Sequence, residues 1–227
     1  MAGKKKTTKK RKKISSERKL ERELLWIIGF MVFLVILFLV VNSFFKSLSQ
    51  FEYEGLTFTK TEINGITFYH YYYLFEGDKG AIFRYNLYLR TDPRENSVPY
   101  EGDSVLLDEK SVYVGVRTSG FDECPKTAAA IATLSGFLTD NQFRVFGGNT
   151  NAVEATINNE RHVSCKARPD DNVIEIRRGD ETKVVGNITD DGNCYQIFVG
   201  PQCNTLEAVE RFELQTILDA RELDAEE

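Results

Sequence analysis

The sequence predicts an α+β fold, in which an N-terminal transmembrane helix precedes an extracytoplasmic antiparallel-sheet domain with one or two helices. Three observations lead there. The eighteen residues from Leu24 to Val41 carry no charge or strongly polar group. The chain that follows is dense in short β-branched and aromatic segments separated by turn signals, and helical signals appear only around 126–139 and after Asn204.

Residues 1–22 form a basic tail, with eleven Lys and Arg against Glu17 and Glu21. Residues 23–46 are the spanning helix: at about 1.5 Å per residue, the apolar run extended through Phe44 and Phe45 reaches roughly 33 Å, enough for the hydrocarbon core of a bilayer. Trp26, near its inner end, suits the headgroup layer. A cleaved signal peptide has a shorter apolar region, and Val41-Asn42-Ser43 matches a cleavage site only weakly. A soluble core helix is apolar along one stripe, whereas this segment is apolar all round. With only Lys46 basic on the far flank, charge placement puts the N-terminus in the cytoplasm and residues 47–227 outside, as a single-pass protein of the cell membrane.

Residues 47–227 carry 17 basic and 31 acidic side chains, a net charge of −14 that the tail masks in the whole-chain value of −5. A domain so acidic repels nucleic acid and anionic lipid. The bilayer is therefore the expected partner of the helix, and anionic headgroups that of the tail.

This region is one domain or two subdomains, about 50–118 and 119–227. "FEYEGLTFTK" and "GITFYHYYYLF" read as strands joined by a tight turn at Asn64-Gly65. "AIFRYNLYLR", "SVLLD" and "SVYVGVR" continue what reads as a five-stranded antiparallel meander. The tyrosines here (Tyr69, Tyr71, Tyr72, Tyr73, Tyr85, Tyr88) could line an aromatic binding face, but strand propensity alone accounts for them as cross-strand pairs. Ala128, Ile131, Leu134 and Phe137 or Leu138 then recur at helical spacing, with Pro125 as a first-turn residue, giving a helix from about 126 to 139. Strands follow at "FRVFGG", "EATIN", "NVIEIRRG", "TKVVGN" and "CYQIFVG". Asn204 with Glu207 three residues later opens a final helix, although Phe212, Leu214 and Leu218 would also suit a strand.

Cys124, Cys165, Cys194 and Cys203 all follow the span, and an even count in an oxidising compartment reads as two disulfides. Three connectivities are open. The favoured one joins Cys194 to Cys203, around a turn at Gly200-Pro201, and Cys124 to Cys165. Cys124 also stands just ahead of a helix start, where the macrodipole would lower a thiol's pKa, with Thr127 nearby. It lacks a second cysteine at C-x-x-C spacing. His162 with Cys165 makes an H-x-x-C pair, but two ligands do not build a zinc site.

Asp170-Asp171-Asn172 and Asp190-Asp191-Gly192-Asn193 offer oxygen ligands without the pattern of an EF-hand loop, and turns use the same residues. Gly147-Gly148 has neither a P-loop lysine nor a dinucleotide fingerprint. Asn187-Ile188-Thr189 is a glycosylation sequon. No metal, no cofactor and no catalytic residue is expected.

The stretches "FEYEGLTF", "YNLYLRTDPR" and "CYQIFVGPQCNTLEAVERF" resemble uncharacterised archaeal single-pass membrane proteins with a cysteine-bearing extracytoplasmic domain. That resemblance implies a cell-membrane location and supplies no catalytic residues. The function expected is non-catalytic: a membrane-anchored binding or scaffold protein of the cell envelope, its partner another envelope protein or a surface polymer. The alternative is an extracytoplasmic thiol enzyme using Cys124.

Overall fold

An apolar segment with no stripe to bury forms a helix whose apolar side chains stay exposed. In the computed structural model, which describes residues 7–77, 81–104, 111–187 and 193–226, helix α1 spans Thr7–Ser49. Its 23-residue segment Arg22–Phe44 is long and apolar enough to cross a membrane, and its side chains from Leu24 to Val41 are exposed on every side. The chain divides into two units, Met1–Phe51 and Glu52–Glu227.

Four strands, β1 (Gln50–Tyr53), β2 (Leu56–Ile63), β3 (Ile66–Gly77) and β4 (Ala81–Leu89), form a sheet in chain order. The pairs β2–β3 and β3–β4 are antiparallel. Asn64 (φ 53°) and Gly65 (φ 78°) both take the left-handed conformation that a two-residue hairpin requires. Alternation sorts the side chains: Leu56, Phe58, Leu87 and Leu89 are buried on one face, while Thr57, Tyr72 and Tyr88 are exposed on the other.

A second sheet of six strands is mostly parallel. It contains β5 (Tyr100–Glu101), β6 (Ser111–Val116), β7 (Arg144–Asn149), β8 (Asn172–Arg178), β9 (Lys183–Val185) and β10 (Cys194–Val199), in the order β5-β9-β10-β8-β6-β7. Strands β6, β7, β8 and β10 run parallel to one another, and only β9 runs against its neighbour β10. Helix α2 (Thr127–Asp140) connects β6 to β7, short helix α3 (Ala152–Ile157) follows β7, and α4 (Thr205–Glu226) closes the chain.

The α+β class, the apolar N-terminal helix and the antiparallel sheet of the first half therefore stand, and two expectations are corrected. "SVYVGVR" is no fifth meander strand: as β6 it lies inside the parallel sheet with Val112 and Val114 buried, and its nearly unbroken apolar run is what a strand covered on both faces shows. "EATIN" is helical, because Asn151 caps α3 by accepting hydrogen bonds from the Val153 and Glu154 N–H groups at 2.9 and 3.3 Å. Of the fourth proposed meander strand, 105–108 lie outside the described residues; Ser104 is fully buried, its N–H donating to Asp219 at 2.7 Å.

Helix α4 explains its own ambiguous pattern. One side packs on β9, β10 and α2, with the Tyr195 and Phe212 rings 5.6 Å apart. On another side Glu210 accepts the Arg90 and Thr91 N–H groups at 2.6 and 3.1 Å, the Glu207 carbonyl accepts from Asn96, and Arg221 donates to the Gly55 carbonyl. Tyr73, on the inner face of the four-stranded sheet, donates its hydroxyl to Asn141 at the end of α2. The two helices thus form a layer between the sheets, and a helix covered on several sides needs no single apolar stripe. Deep in this layer Glu213 is fully buried, and neither of its carboxylate oxygens has a partner among the described residues. Burial, reinforced by nearby Glu210, pushes its pKa well above the usual carboxylate range.

Candidate functional site

Because β6, β7, β8 and β10 are parallel, their carboxyl ends share one edge, and the loops leaving them gather there. In parallel sheets this edge is where ligands bind. Three groups of side chains occupy it.

The first is the disulfide Cys124–Cys203, with Cα atoms 5.2 Å apart, which ties the β6–α2 loop to the β10–α4 loop. Arg178, the last residue of β8, donates from Nη1 to the Gly200 carbonyl at 2.8 Å and lies 3.1 Å from Cys124 Sγ. The buried hydroxyls of Thr127 and Thr205, the first residues of α2 and α4, are hydrogen-bonded at 3.1 Å. Two helix starts are thereby locked side by side.

The second is a polar network around Asn149, buried at the end of β7. Its Nδ2 donates to Thr118 Oγ1 (2.6 Å), Glu160 Oε2 (3.1 Å) and Glu154 Oε2 (3.3 Å), and its Oδ1 accepts from the Asn151 N–H at 2.9 Å. Glu154 also accepts from the Ser119 hydroxyl at 2.5 Å, and these bonds hold its pKa below the ordinary glutamate value. Beside the network opens the third feature, a cleft of about 270 Å³ lined by Val116, Thr118, Gly147, Gly148, Glu160 and Arg161. Arg161 lies over the Phe146 ring, 5.0 Å from its centroid. The two glycines differ: a Cβ on Gly147 would meet nothing within 4 Å, whereas one on Gly148 would collide with the Arg161 carbonyl. Gly148 is thus what lets the 161–163 segment lie against the sheet, where the Asn149 N–H donates to the Arg161 carbonyl and the Asn149 carbonyl accepts from the Val163 N–H.

Each sequence-derived residue can now be placed. All four cysteines are paired and none is free, but the connectivity is Cys124–Cys203 and Cys165–Cys194, not the one favoured from spacing. The reason is the strand between Cys194 and Cys203. Six extended residues of β10 put the two at opposite ends of the strand, about 20 Å apart, far beyond disulfide reach. Cys165 instead bonds Cys194 (Cα atoms 5.5 Å apart), pinning the loop after α3 across the sheet, where the Cys165 N–H also donates to buried Glu175 at 2.9 Å. The H-x-x-C pair consequently has no free thiol. Asp171 is ion-paired with Arg168 at 2.9 Å, and Asn172 is buried as the first residue of β8, so that acidic cluster is a turn entering a strand. Residues 190–192 of the other cluster lie outside the described residues. Among the described residues no group of three or more His, Cys, Asp and Glu could hold a metal ion. Asn187 is exposed just beyond β9; Ile188 and Thr189 of its sequon lie outside the described residues.

The Asn149–Glu154–Glu160 network escaped the sequence reading. Its one signal was Asn151 followed by Glu154, the spacing of an N-cap and its third helical residue. No family model, curated protein or solved structure matches the chain.

Proposed function

We propose that this chain is a single-pass membrane protein of the cell envelope, its N-terminus cytoplasmic and its Glu52–Glu227 unit outside, where it acts as a non-catalytic binding or scaffold module. The observation that carries the reading is the pairing of all four cysteines in two disulfides on the C-terminal side of an apolar helix whose basic flank is N-terminal. The polar cleft at the carboxyl edge of the parallel strands offers such a module a place for a small polar ligand or a partner's loop.

The test is thiol labelling of intact cells with a membrane-impermeant maleimide, with and without prior treatment by an impermeant phosphine reductant. No label before reduction and four after it are expected. Label that enters only after permeabilisation places the unit inside, and label without reduction shows free thiols; either result defeats the reading.

One geometric feature favours a second reading, a thiol enzyme. If the Cys124–Cys203 bond is reduced, Cys124 lies beside the Arg178 guanidinium and ahead of α2, a setting that stabilises a thiolate. A Cys124→Ser chain that folds normally but loses thiol reactivity would select it.

A further inference from the structure

The two disulfides of the Glu52–Glu227 unit lie in different electrostatic settings. Access does not separate them: each joins a buried cysteine, Cys124 or Cys194, to a partly exposed one, Cys203 or Cys165. Charge does. The Arg178 guanidinium lies 3.1 Å from Cys124 Sγ and 3.5 Å from Cys203 Sγ, held there by its bond to the Gly200 carbonyl at 2.8 Å. Among the described residues no carboxylate is ion-paired with Arg178: Asp122 and Glu123 beside Cys124 point into solvent, and Glu207 pairs with Lys126 at 3.5 Å. The Cys165–Cys194 bond has no cation against its sulfurs among the described residues. The charged group built beside it is buried Glu175, which accepts the Cys165 N–H at 2.9 Å and pairs with Arg177 at 3.1 Å, while neighbouring Lys166 is exposed.

A disulfide opens by attack of a thiolate on one sulfur, and it opens faster when the departing sulfur makes a stable thiolate. A guanidinium against that sulfur supplies the stabilisation and attracts the incoming anion. Burial of Cys124 directs attack to Cys203, whose neighbours Pro201 and Gln202 are exposed. Cys203 also holds a left-handed backbone (φ 59°), which a non-glycine residue adopts at a cost, so opening the bond releases local strain. Its sulfur lies 3.8 Å from the Glu123 carbonyl, an acceptor for the S–H that Cys203 carries once reduced. The site thus treats its two sulfurs differently: one is exposed to attack, the other is held where a thiolate is stable.

We propose that Cys124–Cys203 is a site of thiol–disulfide exchange, its partner a protein that carries two neighbouring thiols. A partner thiolate bonds to Cys203 Sγ as the Cys124–Cys203 bond breaks, and Cys124 departs with the electron pair as a thiolate beside Arg178. The second partner thiol gives its proton to solvent and attacks the partner sulfur of this mixed disulfide; Cys203 leaves and takes up a proton. Two electrons have then passed to Cys124 and Cys203, and the partner holds a new disulfide. Cys124 is a leaving group in this exchange, so the site goes beyond the thiol-enzyme reading and needs no free thiol in the resting protein. A bond that exchanges fast can still stabilise the fold, because its rate depends on access and leaving group and its stabilisation on the loop it closes.

The experiment follows both bonds at once in the folded, full-length chain in mild detergent. The chain is mixed with 2-mercaptoethanesulfonate, an anionic thiol, or cysteamine, a cationic one, quenched in acid at timed intervals, alkylated and mapped by peptide mass. Cys124–Cys203 should open at least about tenfold faster than Cys165–Cys194, with the early adduct on Cys203 and the free thiol on Cys124. The anionic-to-cationic rate ratio should be about threefold higher at Cys124–Cys203 than at Cys165–Cys194, and high salt should remove that difference. Arg178→Gln should slow opening about threefold and equalise the two ratios, while Arg178→Lys, which keeps the charge, should restore part of the rate. Each variant is checked for an unchanged circular dichroism spectrum; if Arg178→Gln does not fold, the salt dependence in the parent chain carries the test. The proposal is overturned if Cys165–Cys194 opens first or equally fast, if the early adduct maps to Cys124, if the two ratios are equal in the parent, or if folded Arg178→Gln behaves as the parent. Fast exchange in a chain whose thiols label only after permeabilisation would sink the envelope reading and leave the exchange site standing.

Discussion

The two sheets of the Glu52–Glu227 unit solve the same problem in different ways. The four-stranded sheet is built from neighbours in sequence, keeps one face in solvent and contains no cysteine; the six-stranded sheet is built from strands far apart in sequence, buries most of its central strands β8 and β10 and is tied by two cross-links. A hairpin sheet closes short loops and needs little help, whereas a parallel sheet must bring distant segments together before any contact rewards it. The disulfides sit where that cost is greatest. They also fall at opposite ends of β10, Cys194 as its first residue and Cys203 beyond its last, so the central strands are clamped from both edges.

The largest effect that would sharpen this contrast is loss of a clamp. Replacing Cys124 and Cys203 together by Ala opens a closure of 79 residues and should cost about 4–5 kcal/mol by the chain-entropy argument. The Cys165/Cys194 pair, closing 29, should cost roughly 3–4 kcal/mol. Urea unfolding followed by circular dichroism measures both, and equal or negligible losses would break the comparison.

Next come the glycines of β7. Gly148→Ala drives a methyl group into the Arg161 backbone and should destabilise by about 2–3 kcal/mol, while Gly147→Ala, with open space beside it, should change stability by well under about 1 kcal/mol. The difference between two adjacent residues, read from the same melts, isolates the packing of the 161–163 segment.

Glu213 gives a smaller effect and a pH signature. Its carboxyl is held protonated in the folded chain by burial, with Glu210 adding to the shift, so the folded state retains a proton that the unfolded chain releases. The stability linked to it is full at low pH and falls as pH rises through the elevated pKa. Glu213→Leu should therefore stabilise by about 1–3 kcal/mol at neutral or alkaline pH, with the advantage shrinking on acidification. A variant whose advantage grows in acid would contradict this placement.

The smallest expected change is on the outward sheet face. Tyr72→Ala removes a half-exposed ring and should shift stability by no more than about 0.5–1 kcal/mol. A much larger loss in the melt would mean that the ring is held there by the fold.

The sheets also differed in how readily they could be read. Asn64-Gly65 announced its hairpin because two left-handed residues in a row are a local requirement, and Leu56 and Phe58 alternating with Thr57 and Thr59 showed which face is buried. In β6, Val112, Val114 and Val116 alternate as they would in a meander strand too, so alternation could not tell the two sheets apart and the segment was placed in the wrong one. The candidate site fared worse. Thr118, Asn149, Glu154 and Glu160 come from the β6–α2 loop, the end of β7, α3 and the loop after it, and nothing in any one of them indicates that the carboxyl ends of β6 and β7 are adjacent.

By itself, then, the sequence determined the features whose cause is local: a long apolar run without a stripe, a two-residue turn, a helix read at about 126–139 and found at Thr127–Asp140, and the presence of four cysteines beyond the apolar run. Tertiary structure alone decided which cysteines meet, which strands run parallel, which tyrosines face the helices and which face solvent, and why α4 can be buried on several sides. Those outcomes depend on strand order and on how far an extended strand carries its ends apart. Neither is encoded within a few residues of the positions concerned; both arise only when all the strands and helices compete for the same buried surface.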